Sequence, residues 1–151
     1  MATKEVVPVT LESFVTLVEA SGFQRHEIEE DRGRLTLDVQ GEETVLRVHV
    51  ALGKSPEGDI TWYTRFLSYS LEFEPIKAGI PRLKLLEWMN TKNADVLFGR
   101  YYFDENTDTI AFEVAIPCNE GVNPVDFEDM LRVVTVSVDR AHKDLKELVE
   151  A

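Results

Sequence analysis

Residues able to act as nucleophiles, bases or metal ligands are few and widely spaced in this chain. Cys118 is the sole cysteine and ends a strand-like run in Ile116-Pro117-Cys118-Asn119-Glu120-Gly121. A thiolate at neutral pH needs a basic partner or a positive helix end. This stretch offers neither, so Cys118 reads as a small packing residue. His26, His49 and His142 share no ligand spacing, and a metal site is not expected from them. His26 lies in a polar stretch, His49 on the charged side of a strand, and His142 beside Arg140 and Lys143 on a solvated helix face. Glu27, Glu29 and Asp31 alternate toward one face, where grouped carboxylates hold hard cations or raise one another's pKa. A charged edge strand that discourages sheet-to-sheet aggregation explains them more simply. No Walker loop, GxGxxG, HExxH or GxSxG motif occurs, so the expectation is no catalytic residue, no cofactor and no metal. The aromatic group Trp62, Tyr63, Phe66, Tyr69, Tyr101, Tyr102 and Phe103 either lines a ligand groove or builds a sheet core. Successive strand residues face opposite ways, so one of Tyr101 and Tyr102 is on the less buried side.

The composition narrows the partners. The 151 residues include 28 acids and 16 bases, for a formal charge of −12. The acids are spread over both halves. A field of that sign repels phosphate backbones, and no Lys/Arg cluster offsets it, so nucleic acid and anionic membranes are poor partners. No run approaches a membrane span, the opening MATKEVVPVT lacks the apolar centre of a signal peptide, and a lone cysteine suits a reducing compartment. A cytoplasmic location is expected. With 44% hydrophobic residues the chain has material for one core, read as a loose lead-in over residues 1–8 and a single α+β domain over 9–151.

Periodicity supplies the elements that must position these side chains. Thr10 caps a first helix whose Leu11, Phe14, Val15 and Val18 recur at helical spacing up to Ser21-Gly22. A polar first strand covers Gln24 to Glu30, and Leu35, Leu37 and Val39 alternate in the next. Leu46, Val48, Val50 and Leu52 follow after a turn at Gly41-Glu42, leaving Arg47 and His49 opposite. The run from Ile60 to Phe73 changes its apolar parity midway, which predicts a bulge or bend at Phe66-Leu67. A second helix opens at Gly79-Ile80-Pro81, wraps Leu83, Leu85, Leu86, Trp88 and Met89 around itself, and ends near Asn90 and Asn93; it is expected to be largely buried. Leu97–Asp104 and Thr109–Pro117 read as a hairpin joined through residues 105–108. Asn123 and Pro124 open a last helix of about seven turns, with i,i+4 pairs Glu128/Arg132 and Asp139/Lys143. Strand-like alternation over Val134–Val138 competes there, and the heptad spacing of Phe127, Leu131, Val134, Val138, Ala141, Leu145 and Leu148 on both sides outweighs it. Val136 points away from that stripe and Val133 lies at its margin, which implies a second partner surface. The order is α-β-β-β(-β)-α-β-β-α with antiparallel pairing.

Leu85-Leu86-Glu87-Trp88-Met89-Asn90-Thr91-Lys92-Asn93, then Phe98-Gly99-Arg100-Tyr101-Tyr102-Phe103-Asp104 and Ile110-Ala111-Phe112-Glu113-Val114-Ala115-Ile116-Pro117, resemble the YbjN family of bacterial proteins over the second half of the chain. The resemblance implies the fold of type III secretion chaperones, in which helices pack on an antiparallel sheet, often as a dimer. It also implies a role as a regulator of sensory transduction and no catalytic residues to carry over. Residues and resemblance together predict a non-enzymatic, chaperone-like homodimer that binds another protein through its sheet or a helix groove, with Val133, Val136, Tyr101 and Tyr102 as the candidate interaction surface. The rival is a small-molecule sensor or enzyme with a pocket between sheet and helix, using Tyr101 or Tyr102, Cys118 or His49.

Overall fold

The computed structural model describes residues 6–23, 26–54, 61–118 and 121–150. Its helices are α1 (Leu11–Ala20), α2 (Arg82–Asp95) and α3 (Pro124–Glu150). The strands are β1 (Glu27–Glu29), β2 (Arg34–Gln40), β3 (Val45–Lys54), β4 (Thr61–Ser70), β5 (Arg100–Asp104) and β6 (Thr109–Pro117). They form one antiparallel sheet in the order β1-β2-β3-β4-β6-β5, the α+β arrangement expected from the element order. Each antiparallel neighbour exposes alternate residues to the two faces, and one face is predominantly apolar: Leu35 and Leu37, Leu46, Val48 and Val50, Phe66, Phe112 and Val114 are all buried there. The α3 helix packs on β3, β4 and β6, α1 on β2 and α3, and α2 beside β5, so the molecule has two layers.

Local chemistry sets the ends. The Thr10 hydroxyl accepts from Ser13 N–H at 3.1 Å to start α1. Asn123 Oδ1 accepts from Val125 N–H at 2.9 Å to start α3. The α3 segment is helical through Val134–Val138, because Val134 and Val138 both enter the core at helical spacing. Val7, within the predicted lead-in, exchanges two 2.8 Å backbone bonds with Val122; residues 1–5 lie outside the described residues.

Four local expectations are corrected. The β4 strand runs unbroken through Phe66 and Leu67, opposite Val50 and His49, and the register shift falls instead at Gly53/Lys54. The parity change has another cause. Thr64 and Ser68 take core positions because their hydroxyls find partners: Ser68 donates to the Val134 carbonyl at 2.6 Å, and Thr64 Oγ1 lies 3.0 Å from Cys118 Sγ. Leu67 and Tyr69 are left on the opposite face, and Leu71 and Phe73 lie beyond the strand. Second, α2 is mostly exposed, with only Leu85 fully buried. Third, Asp31 sits in a short 3₁₀ turn, while Glu27 and Glu29 do form an edge strand. Fourth, Asp139 makes no helix-surface pair with Lys143; its carboxylate accepts from the backbone N–H groups of Glu42, Glu43 and Thr44 in the β2–β3 turn. Glu128 and Arg132 do pair, at 3.5 Å.

Candidate interaction surface

The α2 helix carries apolar residues it does not bury. Leu83 is 67% exposed and Leu86 42%, and past the helix end Leu97 and Phe98 are 91% and 60% exposed. The reason is geometric, since α2 lies beside β5 at the edge of the sheet, beyond which no further strand follows among the described residues. Leu85 and Trp88 turn inward, with Trp88 edge-on to Tyr101 at 5.2 Å between ring centroids. Asn93, expected at a helix end, lies inside the last turn and serves β5. Its side chain accepts from Tyr101 N–H at 2.7 Å and donates to Tyr101 C=O at 3.0 Å. These are the bonds a neighbouring strand would make, so the amide closes the sheet edge there.

The other face of the sheet has no helix over it among the described residues. It presents Arg34, Thr36 and Asp38 on β2; Arg47, His49 and Ala51 on β3; Tyr63, Arg65, Leu67 and Tyr69 on β4; Ala111, Glu113 and Ala115 on β6; and Arg100 and Tyr102 on β5. Its arginines are each paired. Arg34 bonds Glu29, Arg47 bonds Asp38 at 2.9 Å, and Arg65 and Arg100 both bond Glu113. The Arg34 and Arg47 bonds hold the Glu29 and Asp38 carboxyls below their ordinary pKa values. Burial alone would raise Glu113, but hydrogen bonds from Arg100 and Arg65 outweigh it and hold that carboxyl down as well. Within an acidic molecule this face is a near-neutral patch of guanidinium–carboxylate pairs and tyrosines.

His49 lies at its centre, almost wholly buried by its cross-strand neighbours. Nδ1 is 2.7 Å from Thr36 Oγ1 and Nε2 is 3.0 Å from Tyr69 Oη, while Thr36 Oγ1 also donates to Glu29. Burial, with nearby Arg34, pushes the imidazole down to about 4 from its ordinary 6.5. The folded protein therefore binds fewer protons here than the unfolded chain between those values. Stability from this group is complete above about pH 6.5 and is lost as pH falls toward 4. His49→Gln keeps a donor and an acceptor without the titration. Its urea midpoint should fall less between pH 6.5 and 4.5 than the parent's, and equal pH slopes in the two proteins would contradict this origin.

The candidate residues are divided by the structure. Tyr101 is on the helix side, donating to the Ser137 carbonyl at 2.9 Å, and Tyr102 is on the helix-free side. Tyr101 and Val136 border one groove between α2 and α3, where Val136 is 39% exposed. Val133 is half-buried against the core. His142 is not solvated, being packed edge-on against Phe73 at 5.2 Å with its pKa lowered by burial. Cys118 is buried beside Thr64, and His26 lies 3.9 Å from Glu19. No three His, Cys, Asp or Glu side chains converge among the described residues, and no helix of the described residues is long and apolar enough to cross a membrane. The exposed leucines of α2 escaped sequence reasoning because a helix apolar all round ordinarily signals burial.

Three helices on one face of a six-stranded antiparallel sheet, with no helix on the other among the described residues, define a protein of the type III secretion chaperone-like fold. The chain belongs to the YbjN family, described as "Putative bacterial sensory transduction regulator", whose family model matches residues 10–147. Among solved structures it is similar to YbjN from E. coli, described as "a putative transcription regulator", with a TM-score of 0.67 and 16% identity over 95% of this chain and 96% of that one. It is also similar to a chain of the HopA1-SchA chaperone–effector complex, with a TM-score of 0.55 and 13% identity over 91% of this chain and 99% of that one. No curated protein matches the sequence.

Proposed function

We propose that this chain is a non-enzymatic regulatory protein of the cytoplasm that works as a homodimer and binds another protein across its sheet. The exposed leucines of α2 carry the dimer part. Leu83 and Leu86 project from a helix with little other partner surface. An antiparallel, two-fold pairing of α2 with α2 covers Leu83 and Leu86 of both copies.

The helix-free face is left for the partner protein. Tyrosine and arginine dominate energetic contacts at protein interfaces, whereas lysine is depleted there. Tyr63, Tyr69 and Tyr102 with Arg34, Arg47, Arg65 and Arg100 match that composition. The chaperone-like fold and the family's description as regulators agree with this role. The groove at Tyr101 and Val136 is a second contact region, beside the α2 seam, and Tyr102 belongs to the sheet surface.

Sedimentation tests the dimer. The parent should run near twice 17.2 kDa at micromolar concentration. Leu86→Asp, a change at an exposed position, should run as a folded monomer, and Val136→Asp should leave the mass unchanged. A monomeric parent, or a dimer indifferent to Leu86→Asp, would refute the α2 seam. Photo-crosslinking in a bacterial lysate from position 69, with position 132 on α3 as control, tests the sheet face. Crosslinks confined to position 132 would reject it.

A further inference from the structure

One part of the helix-free face is built to hold a negatively charged group. The β5 strand begins at Arg100, opposite Glu113, whereas β6 continues to Pro117. Beyond Glu113 the β6 edge therefore has no strand beside it among the described residues. Gly99, at φ +80°, turns the chain away from that edge, passing so close to the Glu113 carbonyl and the Phe112 ring that a side chain would collide with both. The vacated strand position opens into a recess of about 580 Å³ bordered by Tyr63, Arg65, Gly99, Arg100, Glu113 and Ala115.

Two guanidiniums meet one carboxylate in this recess. Arg65 donates through Nε to Glu113 Oε2 at 2.7 Å, and Arg100 through Nε to Oε1 at 2.7 Å, with Nη2 of each bonding the same oxygens. Glu113 is largely covered while both arginines remain open to solvent. It thus engages Nε and Nη2 of both forks, and neither Nη1 has a partner among the described residues. The cluster carries a net charge of +1 in a chain of −12. A monoanion neutralises it, whereas a phosphate dianion would leave excess negative charge beside Glu113. The recess also offers main-chain pairing. Glu113 faces β5 along the ladder, so by strand alternation Ala115 N–H and C=O point into the vacated position, where no backbone partner occupies them among the described residues. Exposed Leu97 and Phe98 adjoin it in sequence.

We infer that an extended segment of a partner protein adds beside residues 114–117 of β6, placing the carboxylate of an Asp or Glu side chain on Arg65 and Arg100 and an apolar neighbour against Leu97 or Phe98. This rests on the sheet face being the partner surface and names what that face reads. The probe is a blocked pentapeptide with one aspartate between two leucines, compared with its asparagine counterpart and with a free C-terminal carboxylate peptide lacking aspartate. Binding is followed by the ¹⁵N signals of the Arg Nε groups and of the Ala115 amide.

The aspartate peptide should bind at least about tenfold more tightly than the asparagine one, shifting Arg65, Arg100 and Ala115 together. Arg100→Ala should abolish that preference with an unchanged thermal midpoint, and Arg100→Lys should not restore it, because lysine lacks the planar fork. Equal binding of the two peptides, a preference that survives Arg100→Ala, or shifts confined to other faces would overturn the inference. Tighter binding of the C-terminal carboxylate peptide would reject the side-chain assignment. The readings separate cleanly: position 69 crosslinks with no aspartate preference would sink the recess alone, and the preference with no crosslinks at position 69 would sink the wider partner surface.

Discussion

Replacing Asp139 by alanine should lower stability by about 2–3 kcal/mol, a fall of roughly 4–12 °C in thermal midpoint for a domain of this size. The carboxylate lies on α3, almost a hundred residues from the turn it serves, and accepts from Glu42 N–H at 2.9 Å, Glu43 N–H at 2.9 Å and Thr44 N–H at 3.1 Å. Hydrogen bonds to a charged group contribute about 1.5–3 kcal/mol each. The simple sum overstates the loss, because Glu42 and Glu43 are exposed and water replaces part of what they lose. Thr44 is buried and has no such recourse. Asp139→Asn should also destabilise, since its NH₂ group turns a donor toward N–H donors. Gly41 provides an independent check, because a Cβ there would strike the Asp139 carboxylate and the Thr44 carbonyl. Gly41→Ala should therefore cost a similar amount, and the double variant should cost less than the sum, since both changes break one contact. Strict additivity in urea melts, or an Asp139→Ala midpoint equal to the parent's, would show that the α3-to-turn clamp contributes nothing.

The largest loss is expected from Phe127→Ala, at about 3–5 kcal/mol. Phe127 is fully buried at the start of α3, and its ring lies 5.5 Å from that of Phe14 on α1 and 5.1 Å from that of Phe66 on β4. One side chain thus joins two helices to the sheet centre. Removing it leaves a cavity that three rigid elements cannot readily close, which places the cost toward the upper end of that range. Phe127→Leu, which keeps much of the volume, should recover most of the stability. A urea series that ranks Leu no better than Ala would mean the site relaxes freely and that packing there is not tight.

These two contacts show how unevenly the fold is written in the sequence. The apolar stripe from Phe127 to Leu145 specified α3 as a helix and named its buried face, because a 3.6-residue period depends only on neighbours along the chain. The hairpin of β5 and β6, the caps at Thr10 and Asn123, and the opposite orientations of Tyr101 and Tyr102 were legible for the same reason. Asp139 looked like half of an i,i+4 pair and is instead a turn clamp, since its partners are brought near only by folding. His142 looked solvated beside Arg140 and Lys143, yet Phe73 covers it from beyond the end of β4. The apparent phase slip in β4 arose because Thr64 and Ser68 are polar by type but buried by partnership, their hydroxyls satisfied by Cys118 and by the Val134 carbonyl.

The candidate surface divides along the same line. Alternation required one tyrosine of the pair at 101 and 102 to face away from the core, and it assigned Arg47 and His49 to the polar side of β3. Only the strand order brought Arg65 on β4 and Arg100 on β5 onto the one carboxylate of Glu113 on β6, because β6 enters the sheet between them. Only the position of α2 beside the edge strand left Leu83 and Leu86 uncovered, although their spacing resembles that of buried residues. For α1, α3, β2, β3 and β6 the sequence by itself determined what the element is and which of its sides is apolar, since those depend on local geometry. Which sides meet, and which remain free for a partner, depends on contacts between residues far apart in the chain, and these exist only in the folded sheet.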